Sequence, residues 1–152
     1  LPELGVPDTA DEILEDLRGG GLHGLRARIN RLDADQSREA AQTLLSELSE
    51  RDARATLTYD DAWIVSGLQY LQASAAEPAL ARALLDIANP DHAASGLRAR
   101  VIRALSALGT PQSIPALVEF LVTVDDPIHK DLAAGCIEAI AGRHGSEGVR
   151  SI

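Results

Sequence analysis

The sequence predicts an all-α fold, an α-α superhelix of stacked antiparallel helix pairs that runs over residues 1–152 as a single solenoid domain of about four pairs. Three observations predict it. The first is an internal echo: residues 62–84 return 37 positions later as residues 99–121, with Ile64 matched by Val101, Leu68 by Leu105, Leu71 by Leu108 and Leu84 by Leu121. Pro78-Ala79-Leu80 likewise returns as Pro115-Ala116-Leu117, and a fixed period of this length marks a stacked helical repeat. The second is apolar spacing at i, i+3, i+4 and i+7 throughout, the signature of one buried helix face. The third is composition: 45% of residues are hydrophobic, yet only Trp63, Phe120, Tyr59 and Tyr70 are aromatic. A core of Leu, Ile, Val and Ala suits closely approaching helices.

After an extended lead-in carrying Pro2, Gly5 and Pro7, Thr9 and Glu12 have capping-box spacing for a helix over about 8–18. Ala10, Ile13, Leu14 and Leu17 would face inward and Gly19-Gly20-Gly21 would end it. Its acidic outer side suits an N-terminal cap of the stack. A short helix over 22–32 and a longer one over 36–50 come next, the latter with a stripe of Ala41, Leu44, Leu45 and Leu48. Gly24-Leu25-Arg26-Ala27-Arg28-Ile29 resembles Gly96-Leu97-Arg98-Ala99-Arg100-Val101, 72 positions on, or close to two periods.

Asp60 or Asp61 can cap a helix to about residue 73 with Ile64, Val65, Leu68 and Leu71 inward. Ser74 and Glu77 repeat capping-box spacing before a helix to Ala88, and Pro78 and Pro115 sit in first turns, where a missing N–H is tolerated. A helix over 92–108 carries Leu97, Val101, Ala104, Leu105 and Leu108, and Gly109 stops it. Thr110-Pro111 opens its partner, with Ile114, Leu117, Val118, Leu121 and Val122 inward. Asp125-Asp126-Pro127 then starts a helix to about Gly142 bearing Ile128, Leu132, Ala133, Cys136, Ile137 and Ile140, and Gly145-Ser146-Glu147 reads as the opening of another. With no methionine at its start, the chain is expected to be a piece of a longer array; were the array to stop here, the C-terminal end would favour self-association.

The unit from Leu97 to Gly109, followed by Ile114-Pro115-Ala116-Leu117 and Asp125-Asp126-Pro127, resembles a HEAT repeat of the phycocyanobilin-lyase-like type, best over residues 60–142. The resemblance implies a right-handed α-solenoid acting mainly as a scaffold for protein partners, with a few members that are enzymes or bind small molecules. The residues are set against each exception. HEAT-like hydroxylases use His-Glu dipeptides, and none occurs here: His23, His92, His129 and His144 are separate, and the last two stand roughly 22 Å apart along one helix. HEAT-like DNA glycosylases need a basic concave surface, whereas 23 acids against 14 bases leave a net charge of −9, which also argues against nucleic acid. Trp63 beside Asp60 and Asp61 is accounted for by capping and core packing. For bilin chemistry there is one thiol, Cys136, read as buried and inert.

No catalytic residue, cofactor or metal site is therefore assigned, no apolar run is long enough for a membrane span, and a reducing, cytoplasmic setting is expected. The function expected is a protein-interaction scaffold or regulatory module, with an enzyme or small-molecule binder on the same solenoid as the alternative. Helix geometry nominates a mildly acidic ridge opposite the apolar stripes of the second helices: Glu39, Thr43, Ser46 and Glu50, then Arg82 and Asp86, then Glu119 and Thr123, with Phe120 at its margin. A basic or extended protein segment is the partner this ridge would take. Arg98, Arg100 and Arg103 are expected to form a structural ladder with Asp91, Asp125 and Asp126.

Overall fold

The computed structural model describes residues 10–19, 22–89, 92 and 95–151, and among these every regular element is helical. The helices in order are α1 (Ala10–Arg18), α2 (Leu25–Asn30), α3 (Ala34–Ala53), α4 (Ala62–Tyr70), α5 (Glu77–Ile87), α6 (Arg98–Leu108), α7 (Ile114–Thr123) and α8 (Pro127–Ser151). α1, α3, α5 and α7 lie side by side in one layer and α2, α4, α6 and α8 in the other, giving an all-helical repeat solenoid. One continuous apolar core fills the space between the layers, from Ile13 and Leu17 to Ala133, Cys136 and Ile140. The 37-residue echo maps onto this arrangement directly, because α4 repeats as α6 and α5 as α7. The closer packing, however, runs across the sequence units: α3 lies on α4, α5 on α6 and α7 on α8.

Several boundaries differ from the sequence expectation for identifiable reasons. α3 starts at Ala34 because Asp33 forms a reciprocal cap with Gln36: Asp33 Oδ1 accepts from the Gln36 N–H at 2.8 Å, and Gln36 Oε1 from the Asp33 N–H at 2.9 Å. Its buried stripe is Ala40, Leu44 and Leu48, with Ala41 and Leu45 only half-buried. Asp61 does not cap α4 itself; its Oδ2 accepts from the Thr58 N–H at 2.9 Å and closes a 3-10 turn over Tyr59–Asp61. α6 begins at Arg98, after a 3-10 turn over Ser95–Leu97, and not at His92. α8 continues without a break to Ser151, so the expected fresh start near Ser146 is absent. Thr9 and Asp91 lie outside the described residues.

α4 is the most enclosed element, buried at every position from Ala62 to Leu68 because α2, α3 and α6 surround it. Gly67 permits the contact with α3: a Cβ there would stand 2.8 Å from Leu44 Cδ1. Both α3 and α4 end in a left-handed residue that is not glycine, Ala55 (φ 56) and Gln72 (φ 55). Each is followed by the closing bond of a Schellman turn, Thr56 N–H to Arg51 O at 2.8 Å and Ala73 N–H to Leu68 O at 3.0 Å.

The inward face of α7 is rotated from the one expected. Ile114, Leu117 and Phe120 are buried, while Val118 is 45% and Val122 80% exposed. Phe120, placed by the sequence on the interaction ridge, is instead a core residue. The reason is registry: α7 is packed by both α8 and α5, and the face that carries Phe120 is the one enclosed. Ile128, 70% exposed, and Ala139 likewise lie outside the buried side of α8, which is Ala133, Cys136 and Ile140.

Polar stitches tie the helix ends together. The Glu77 carboxylate, buried at the start of α5, does not cap its own helix with Ser74; it accepts from the Thr110 N–H at 2.7 Å and from the Thr110 and Ser113 hydroxyls, thereby capping the turn that opens α7. Arg98, also buried, donates from Nε to Ile87 O at 2.9 Å and from Nη2 to Ala88 O at 3.0 Å, closing the end of α5. Its partners are therefore carbonyls and not the loop acids of the expected ladder, although its charge helps hold Asp126 in the ionised form. Arg143 of α8 does the same for α6, donating to Ser106 O and Gly109 O at 2.6 Å each. Arg28 reaches Leu17 O at 3.0 Å, closing α1. The last carbonyls of a helix lack partners of their own, and an arginine fork satisfies two at once.

Candidate functional site

A groove of about 580 Å³ lies over the C-terminal ends of α2, α4 and α6. It is lined by Arg26 and Asn30 of α2, Gln69 and Tyr70 of α4, Gln72 and Ser74 just beyond, and Ala107 and Leu108 of α6. The guanidinium of Arg26 sits over the Tyr70 ring, 4.6 Å from its centre, within the range of a cation–π contact. The Schellman turn after α4 holds Gln72 in its left-handed conformation at the floor of this region. Three carboxamides thus converge on the groove, each both donor and acceptor. No carboxylate lines it, although the chain carries 23.

The ridge nominated from sequence lies on the opposite layer, distributed over α3, α5 and α7. Glu39, Ser46, Glu50, Arg82, Asp86, Glu119 and Thr123 are exposed and Thr43 half-buried; Phe120 is withdrawn into the core. Several are already engaged. Thr43 Oγ1 donates to Glu39 O at 2.9 Å and Thr123 Oγ1 to Glu119 O at 2.7 Å, while Glu50 pairs with Arg54 at 3.0 Å. Asp86 shares a hydrogen bond with Asp52, a residue that sequence reasoning passed over, and Asp52, Ala79 and Arg82 border a cleft of about 40 Å³ between α3 and α5. Burial, then the Asp86 hydrogen bond and charge, push the Asp52 carboxyl up to about 7, with Arg82 opposing.

Elsewhere, Asp126 caps α8 by accepting from the Ile128 N–H at 2.8 Å, and that bond is the main cause holding its carboxyl below the usual range. Burial raises the Cys136 thiol, against a smaller opposing pull from Ser106 and Arg143. Among the described residues no three of His, Cys, Asp and Glu converge as a metal-binding group, and no helix is long and apolar enough to cross a membrane.

The groove residues were missed because they form no motif. Arg26, Asn30, Gln69, Gln72 and Ser74 are scattered polar positions, and the one available signal pointed elsewhere: Arg26 and Arg98 share the Gly-Leu-Arg echo, yet Arg98 is buried in a cap and Arg26 exposed on an aromatic ring.

Comparison with known families places the PBS lyase HEAT-like repeat on residues 97–123, the segment from the turn before α6 to the last residue of α7. Comparisons with curated proteins and with solved structures found no match. The all-helical repeat solenoid thus carries a HEAT-like repeat at α6 and α7.

Proposed function

We propose that the chain is a non-catalytic protein-interaction module that receives an extended segment of a partner in the groove over α2, α4 and α6. The observation that carries this reading is the groove's lining: three carboxamides, the Ser74 hydroxyl and one arginine over a tyrosine ring, beside Ala107 and Leu108 and free of acids in an otherwise acidic chain. An extended peptide brings backbone N–H and C=O groups that need partners, and carboxamides supply both kinds. Selection from a display library of random dodecapeptides tests it. Peptides enriched on the wild-type chain should lose binding to the triple variant Asn30→Ala, Gln69→Ala, Gln72→Ala. Undiminished binding would sink the proposal.

The exposed acids on three adjacent helices favour a second reading, in which Glu39, Asp86 and Glu119 hold a basic segment. Under that reading the enriched peptides would be Lys- and Arg-rich, and charge reversal at those three positions would abolish binding while the groove variant bound normally.

A further inference from the structure

We propose that the groove anchors its ligand through a carboxylate: Arg26, seated over the Tyr70 ring, forks onto the carboxylate of an extended peptide while Asn30, Gln69 and Gln72 hold the neighbouring backbone amides. The inference rests on the groove reading and adds the chemistry of what the groove takes.

A guanidinium that meets a ring through its face makes that contact without using its N–H donors, which stay available for a planar, two-bond acceptor. Among the described residues, the Tyr70 ring is the contact Arg26 makes, and no acid pairs with it. Several other arginines of the fold are committed. Arg31 is bound to Asp16, Arg51 to Asp61 and Glu47, and Arg28, Arg98 and Arg143 to helix-end carbonyls. With no Asp or Glu lining the cavity, the Arg26 charge is not neutralised from within it. A lysine- or arginine-bearing segment would meet repulsion there and no compensating acid. A single positive charge in a chain of net charge −9 matches a monovalent carboxylate better than a dianionic phosphate.

The carboxylate can belong to a chain terminus or to an Asp or Glu side chain, and small probes separate the two. The full chain, labelled with ¹⁵N, would be titrated with N-acetylglycine, with N-acetylglutamate N-methylamide, and with the uncharged isostere N-acetylglutamine N-methylamide. The expected result is movement of the Arg26 Nε–H and the Asn30, Gln69 and Gln72 carboxamide signals. At least one carboxylate probe should bind about tenfold more tightly than the isostere, as a charge-assisted fork requires. Whichever carboxylate binds more tightly identifies the source. Arg26→Gln, at an exposed position, should keep a dispersed spectrum and lose the preference; Tyr70→Leu should weaken the carboxylate probes and leave the isostere unchanged. If the isostere binds as tightly as the carboxylates, or Arg26→Gln keeps the preference, the carboxylate anchor is overturned and the groove reading stands. If none of the probes moves these signals, the carboxylate anchor is overturned and the groove reading loses its support as well.

Discussion

Glu77 shows how much one carboxylate can organise when it is taken out of water and bonded on several sides. Its removal strands the Thr110 N–H and two hydroxyls at the opening of α7. Glu77→Ala should therefore lower the unfolding free energy by about 2–4 kcal/mol in urea titration, and Glu77→Gln, which keeps an acceptor, by about half as much. Asp52 behaves oppositely. Its folded-state pKa of about 7 stands above the ordinary 3.8, so the folded chain holds a proton that the unfolded chain releases. The stability this contributes is fully present below about pH 4 and is lost as pH rises through about 7. Relative to Asp52→Asn, the wild type should thus fall in urea midpoint between those values; parallel pH curves would show that the Asp52–Asp86 contact does not hold its proton. Ala55 sits in a left-handed conformation that costs a residue with a Cβ about 1 kcal/mol, and Ala55→Gly should raise the melting temperature by a few degrees.

At the scale of elements, α7 separates what periodicity can read from what it cannot. Its apolar residues Ile114, Leu117, Val118, Phe120, Leu121 and Val122 cover more than half the circumference, so spacing alone supports two adjacent faces. Only the positions of α5 and α8 decide that Phe120 is inside and Val122 outside. Phe120→Ala should cost about 3–5 kcal/mol and Val122→Ser less than about 0.5 kcal/mol, by chemical denaturation. Equal costs would return α7 to the face expected from sequence. The end of α6 offers a sharper case: a Cβ on Gly109 would stand 2.4 Å from Leu105 O and 2.8 Å from Ile140 Cδ1. Gly109→Ala should destabilise by about 2–3 kcal/mol, because the obstructing atom is backbone and cannot swing aside. That glycine was legible as a stop signal, but its second role, letting α8 close on α6, was not.

For the molecule as a whole, the helices as far as the start of α8, the layer partners of the echoed units and most core leucines were legible in the sequence, because a stacked repeat reuses one apolar pattern. The groove was not. Its residues meet only because α2, α4 and α6 end on the same side, and such convergence of distant helix ends leaves no spacing to detect. The expected ridge was drawn from helix geometry alone, which cannot reveal that Thr43 and Thr123 bond to their own helices or that Phe120 turns inward.

The stitches between helix ends bear on what counts as a transplantable part. The recognised segment 97–123 contains α6 and α7 complete, yet the acceptor for its Thr110 and Ser113 is Glu77, twenty residues before the segment begins, and the fork that closes its first helix is Arg143, twenty residues after it ends. A protein engineer who grafted those 27 residues into another array would move a sequence motif without its own fastenings. The portable module runs from Glu77 to Arg143, nearly two of the 37-residue periods, so the part that carries its own fastenings is longer than the unit that repeats.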